Sequence, residues 1–315
     1  MPYPRAVDLS VVIPVYQSAA TLPELTRRLL GVLDSLGLAY EIVYVNDGSP
    51  DDSWRLLCEL QREHSDRLVA IELMRNFGQH NALMCGFRRS RGQLIVTMDD
   101  DLQNPPEEIP KLMDAITTGG MDLVYGRYAG KKHESWRNLG SFLVMAFYRL
   151  VFRSHRTPTS FRIVRRELLE SIFSYNLNFT FIDGLLAWNT QRIGEVLVDH
   201  HPRGTGRSGY SVAKLLALAF NLFTNFSLLP LQLVSGLGIL AACGGFACAI
   251  FFLLRYLLSG ITVPGYASII IAVLVLGGVQ LLSLGIIGEY LGRLHLNVNR
   301  KPQYVERKVL TDRDT

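Results

Sequence analysis

Charge is what this chain has least of: 19% of its 315 residues are Asp, Glu, Lys or Arg, against about 25% in ordinary soluble domains. The deficit is local. Between Leu215 and Gly288 the single charged residue is Arg255, which excludes an ordinary solvated surface for that stretch. Cysteine is scarce as well. Cys58, Cys85, Cys243 and Cys248 form no CxxC and have no His-spaced partners, so a zinc site and a disulfide framework are excluded and a reduced, cytoplasmic setting is expected. The start MPYPRAVDLS lacks an apolar signal core, so no cleaved export peptide is expected. A net charge of only +4 with 49% hydrophobic residues excludes a disordered or nucleic-acid-coating protein, and Trp54, Trp136 and Trp188 are not interleaved with basic residues as a single-strand surface requires.

What stands in place of charge are two apolar windows, Leu231–Leu254 and Tyr266–Gly288, of 24 and 23 uncharged residues. As helices each reaches roughly 35 Å, against a hydrocarbon core of about 30 Å. Neither window has the polar face of a globular helix. RYLLSGITVPG joins them as a hairpin loop. Arg203, Arg207 and Lys214 precede the first window and Arg293, Arg300 and Lys301 follow the second, so the positive-inside rule puts both termini in the cytoplasm. Ser211–Leu229 is apolar but dotted with Asn221, Thr224, Asn225 and Ser227, which reads as an interfacial helix. The basic excess beside the windows suits anionic headgroups.

The first 200 residues alternate between strand and helix patterns. LSVVIPVY, EIVYV, RLVAIEL and QLIVTM are short apolar strands, and Thr21 with Glu24 forms a capping box before the helix LPELTRRLLGVLDSLG. Strands separated by helices imply an α/β domain with parallel crossovers. Ligands bind such sheets outside the carboxyl ends of the strands.

Two of those ends are acidic. Asp99, Asp100 and Asp101 follow QLIVTM directly, and three adjacent carboxylates with hard oxygen donors suit Mg²⁺ or Mn²⁺ bridging a diphosphate. A solvated acidic turn is the plain alternative. Asp47 ends the second strand in VNDGSPDD, placed either for a base or ribose or for an Asx-turn. Together the two clusters describe a nucleotide-diphosphate site. His80 reads as a packing or hydrogen-bonding residue near it, and His200 and His201 lack the spaced partners of a metal site. RYAGKKHESWRN reads as a loop over the cleft.

The runs SVVIPVYQSAATLPEL, EIVYVNDGSPDDS, RNFGQHNALMCGF and MDDDLQNPPEEIPKL resemble the family 2 glycosyltransferases of GT-A fold, in their polyprenyl-phosphate branch. VPGYASIIIAVLVLGGVQLLSLGIIGEYLGR resembles the membrane part of the bactoprenol glucosyltransferases and undecaprenyl-phosphate aminoarabinose transferases. The resemblance implies that Pro14, Val15 and Tyr16 with Asp47 line the nucleotide base and ribose. It makes Asp99 and Asp101 the metal-binding pair, with Asp100 among the donor-binding residues and Gln103 beside the diphosphate. It puts Arg162, in SFRIV, at a family arginine that acts in the reaction. Relatives carry an Asp where this chain has Ser160, and a Lys where GRSGY has Gly209; those two roles do not carry over, and Arg207 is the nearby cation expected to bind the acceptor phosphate.

The expected whole is a GT-A Rossmann-like nucleotide-sugar domain over residues 1–205, an interfacial amphipathic helix over 206–230, a two-helix transmembrane hairpin over 231–288 and a basic cytoplasmic tail over 289–315. Its expected activity is inverting transfer of one sugar from a nucleotide-sugar donor, a UDP-sugar favoured, to polyprenyl phosphate at the bacterial inner membrane. A homo-oligomer, tetrameric by resemblance, is expected, and no nucleic acid. The rival is a membrane scaffold that keeps donor binding; a processive synthase is disfavoured because the chain lacks QxxRW.

Overall fold

Seven consecutive buried residues, LSVVIPV, make up β1 (Leu9–Val15). A strand apolar on both faces belongs at the centre of a sheet covered on both sides, and the computed structural model of the chain has it there. The structure describes residues 7–128, 156–175, 180–201, 229–259, 265–299 and 302–312. The other strands are β2 (Tyr40–Asn46), β3 (Leu68–Leu73), β4 (Leu94–Thr97), β5 (Leu123–Tyr128), β6 (Arg162–Arg165), β7 (Ile193–Val198) and β8 (Glu306–Leu310). The helices are α1 (Leu22–Ser35), α2 (Ser53–Glu63), α3 (Gln79–Arg89), α4 (Ile109–Thr118), α5 (Arg166–Ile172), α6 (Ile182–Asn189), α7 (Leu229–Ser259) and α8 (Tyr266–Val298).

One sheet of order β7-β5-β6-β4-β1-β2-β3-β8 carries the first compact unit, residues 1–209 with 301–315. Strands β1 to β4 are parallel, as their alternation with helices requires. The sheet as a whole is mixed. Strand β6 runs antiparallel to both β4 and β5, and β8 runs antiparallel to β3.

Opposite faces of β1 are covered by different helices. Leu22, Leu25, Leu29 and Leu33 of α1 join Leu9, Val11, Ile13 and Val15 in one apolar cluster, while Gly86 of α3 meets Val12 on the other side. The expected capping box at α1 does not form. The Thr21 hydroxyl donates to the carbonyls of Ser18 (3.1 Å) and Asp100 (2.7 Å), and Glu24 pairs with Arg27. The hydroxyl is turned toward the sheet's end, and it caps no helix amide.

Pairing of β1 with β4 ends at Val12↔Thr97, whereas pairing with β2 runs on to Val15↔Asn46. The strands therefore part just where the acidic triplet begins, and this opens the crevice that positions the site.

The tail is the largest departure from expectation. Residues 306–310 form β8 on the open edge of β3, where Glu306 pairs with Arg89 at 2.5 Å and Arg307 donates to the Met74 carbonyl at 3.0 Å. Pairing an edge strand removes an exposed row of backbone donors and acceptors, and that is the physical reason the basic tail folds back rather than staying free.

The second unit, residues 210–300, holds α7 and α8, of 31 and 33 residues. Among the described residues no helix is long and apolar enough to cross a membrane, so the two spans read from the sequence are not shown. The interfacial helix, Arg203, Arg207, Gly209, Lys214, Trp136 and most of the RYAGKKHESWRN loop lie outside the described residues.

A Cβ on Gly86 would sit 2.3 Å from Val12 Cγ1 and 3.2 Å from Val45 Cγ2. Gly86→Ala is expected to destabilise the chain by about 1–3 kcal/mol through overpacking. Adding Val12→Ala should recover part of that loss, as read by denaturant unfolding followed by circular dichroism.

Candidate active site

Three loops meet at the carboxyl ends of β1, β2 and β4, and carboxylates tie them together. Asp47 accepts from the backbone amides of Phe77 (2.7 Å) and Gly78 (2.9 Å) and is only 3% exposed. Gly48 beside it has φ +63°, and a Cβ there would lie 2.5 Å from the Arg75 carbonyl carbon, so only glycine fits the turn. Asp47 is thus a loop clamp first; its expected place against base or ribose is limited to what a nearly closed-off carboxylate offers.

Asp100 behaves likewise. Its carboxylate accepts from the Tyr16 amide at 3.1 Å and from the Ser18 hydroxyl, so it fastens the β1 loop to the β4 loop and does not line the cleft. Burial is the main cause that pushes this carboxyl up to about 6. Pro14 and Val15 are buried and offer backbone only, and the Val15 carbonyl already receives the Asp47 amide at 2.9 Å. Tyr16, 45% exposed, is the member of that trio with a side chain free to meet a base.

The cleft proper holds about 430 Å³ and is lined by Asp99, Gln103, Asn104, Arg127, Tyr128, Thr157, Pro158, Thr159, Ser160 and His200. Asp99 receives hydrogen bonds from Gln79 Nε2 (2.7 Å) and Ser160 Oγ (2.5 Å). Burial raises its pKa; the Ser160 bond pulls it down, Asp101 pushes it up, and Arg162 and Gln79 pull it down again. Asp101 accepts from the Gln103 amide at 3.2 Å. Between them Leu102 has φ +60°, and Gln17 after β1 has φ +56°. These are the non-glycine residues with positive φ among those described, and both flank the cleft loops, where such strain concentrates.

Among the described residues no group of three or more His, Cys, Asp or Glu is arranged to hold a metal ion. Mg²⁺ or Mn²⁺ does not need such a cage, because one or two carboxylates suffice when water and substrate phosphates complete the shell. Asp99 in the cleft lining and Asp101, two residues on and bonded to the Gln103 backbone amide, supply hard oxygens of that kind.

Arg162 is not where a substrate can touch it. It is 1% exposed, its Nη1 is ion-paired with Asp183, and it lies across from Thr97 and Tyr125 in the sheet. The phenol of Tyr125 also donates to Asp183, at 2.8 Å. The reason is register: β6 enters between β4 and β5 and carries the guanidinium into the core. His80 completes this buried group, its ring edge-on to Phe181 at 5.5 Å.

Sequence reasoning missed Asn104 and took Arg127 and Tyr128 for the start of a loop over the cleft, whereas they end β5 and line it. Arg127 is an exposed cation at the end of β5, and LVYGRY carries the same signal as the other strand ends, an apolar run that stops at a charge. The Tyr128 hydroxyl bonds the side chains of Ser160 and Asn104, and burial pushes its phenol up to about 12. The Tyr128 ring stacks on His200 at 4.2 Å.

Burial pushes the His80 imidazole down to about 4, with Asp183 opposing and Arg162 assisting. Unfolded, this group titrates near 6.5. Between those values the unfolded chain binds more protons, so stability is lost as pH falls. His80→Phe should remove that loss. From pH 7 to pH 5 its stability relative to the parent chain is expected to improve by up to about 2 kcal/mol, measured by urea unfolding at both pH values.

Comparison with known proteins places the chain by sequence and by fold. The chain is 40% identical over 314 residues to the undecaprenyl-phosphate 4-deoxy-4-formamido-L-arabinose transferase of Pseudomonas aeruginosa, covering 98% of this chain and 92% of that one. An uncharacterized glycosyltransferase of Synechocystis is 37% identical over 304 residues, 95% and 94% of the two chains. In fold, glucosyl-3-phosphoglycerate synthase from Mycobacterium tuberculosis, in complex with Mn²⁺, uridine diphosphate and phosphoglyceric acid, superposes with TM-score 0.51 at 21% identity, over 69% of this chain and 76% of that one. Residues 10–173 match Glycosyl transferase family 2, and the chain belongs to that family, in the polyprenyl-phosphate branch.

Proposed function

We propose that this enzyme transfers one sugar, with inversion, from a nucleotide-sugar donor to polyprenyl phosphate at the cytoplasmic face of a bacterial inner membrane. A UDP-sugar and undecaprenyl phosphate are the specific pair. The observation that carries the reading is the cleft itself, in which Asp99 of the strand-end triplet and Gln103 share the lining with the exposed cation Arg127. The Pseudomonas relative acts on undecaprenyl phosphate by its name, and the Mycobacterium tuberculosis synthase binds Mn²⁺ with uridine diphosphate. A scaffold without chemistry is not favoured, since the relative over 98% of the chain is a transferase.

Asp101 and Asp99 would hold the divalent ion, with Gln103 beside the diphosphate. When bound, that ion neutralises the charge building on the departing nucleoside diphosphate. The acceptor is a phosphate monoester with a second pKa near 6, already largely dianionic at pH 7. Its oxygen attacks the anomeric carbon, the bond from that carbon to the diphosphate breaks, and no general base is required. This is why Ser160 suffices where relatives carry an acid. What the acceptor does need is alignment, which Arg127 and Arg207 provide as bidentate phosphate ligands.

The apolar windows are the membrane part of this reading. Their support is the absence of charge other than Arg255 from Leu215 to Gly288, and outward Leu240, Phe246 and Leu281 that are 70%, 70% and 71% exposed. Apolar surface on this scale belongs against lipid or protein. A homo-oligomer is part of the proposal by resemblance.

Purified full-length protein given UDP-sugars, Mn²⁺ and undecaprenyl phosphate should release uridine diphosphate only when the lipid is present. Release independent of lipid contradicts the acceptor assignment. Asp101→Asn should lower turnover at least about 100-fold. Arg127→Ala should raise the KM for lipid phosphate by roughly 10- to 100-fold, the worth of a charge-assisted hydrogen bond.

A further inference from the structure

Beneath the cleft floor lies a charged group that the reaction does not use. Arg162 and Asp183 are 1% and 8% exposed and form an ion pair, and the Tyr125 phenol donates to the same Asp183 oxygen at 2.8 Å. Arg162 Nε is buried with no hydrogen-bond partner. Among the described residues the guanidinium is ion-paired with that one carboxylate, which comes from the N-terminal turn of α6, 21 residues on.

A second carboxylate is near. Arg162 pairs with Thr97 in the β4–β6 ladder, and Asp99 follows two residues after Thr97. The Thr97 hydroxyl donates to the Ser160 carbonyl at 2.6 Å, and Ser160 Oγ donates to Asp99 at 2.5 Å. The ring of His80 stays neutral because burial holds it near 4, and it brings no second positive charge to compete for Asp183.

We propose that Asp183 is a positioning residue: by holding Arg162 in an ion pair it keeps that buried cation from pairing with Asp99, and so leaves the Asp99 carboxylate available to a divalent ion. A buried charge stripped of its partner is strongly unfavourable and seeks another. The carboxylate two residues beyond its strand partner Thr97 is the one the active site needs. This inference rests on the metal role of Asp99 proposed above, and it predicts that the pair is dispensable as a unit while Asp183 alone is not.

The test is a Mn²⁺ titration of the full chain, with free ion counted by electron paramagnetic resonance. Asp183→Asn keeps an acceptor for Tyr125 but removes the charge, and its Mn²⁺ Kd should rise about 10-fold or more. Asp183→Asn with Arg162→Met removes both charges and should bring Kd back to within about 3-fold of the parent. Arg162→Met alone should also stay within about 3-fold, which gives a reading even where Asp183→Asn does not fold. An unchanged Kd in Asp183→Asn, a double variant as weak as the single, or a 10-fold loss in Arg162→Met overturns the inference. If the parent chain itself binds no Mn²⁺, it is the metal reading that fails instead.

Discussion

Three adjacent carboxylates at one strand end repel one another, and the site depends on how that repulsion is contained. Each carboxylate is given a different task. Asp100 turns back to the Tyr16 amide and the Ser18 hydroxyl, Asp99 is held by Gln79 and Ser160, and Asp101 stays at the turn formed by Leu102 and Gln103. One acid fastens loops, one is oriented by two side chains, and one accepts from its own turn. The remainder of the catalytic unit serves this division, because the donors come from three separate segments that only the folded sheet brings together.

The sheet makes that possible through its one interruption. Strands β1 to β4 build a parallel half whose β4 stops short at Thr97, and β6 then slips in antiparallel between β4 and β5. This insertion delivers Ser160 to Asp99 and at the same time sinks Arg162 into the core. A single strand therefore supplies both a donor to the active site and a buried charge beneath it, and the second must be neutralised for the first to be useful.

Much of this was legible in the sequence where the signal was local. Strands β1 to β4 are short apolar runs bounded by turn residues, and α1 to α3 show buried faces at helical spacing, so the parallel half and the acidic strand end followed from pattern alone. The rest depended on contacts between distant segments. Asp47 clamps amides 30 and 31 residues away, and Asp100 reaches an amide 84 residues back; no local spacing reveals that a carboxylate is committed to the backbone. Arg162 was given its role by resemblance to a family arginine, and its ion pair with Asp183, 21 residues on, leaves no mark in local spacing. The tail read only as basic, because its charges mask the alternation that fits it to the edge of β3.

The central claim is that Asp101 holds a divalent ion where a nucleoside diphosphate meets the cleft. Anomalous diffraction from crystals grown with Mn²⁺ and uridine diphosphate tests it directly. The account predicts a manganese peak within roughly 2.5 Å of the Asp101 carboxylate, with diphosphate oxygens completing its shell. Asp101 facing bulk solvent with no ion beside it, or manganese bound elsewhere, would contradict it.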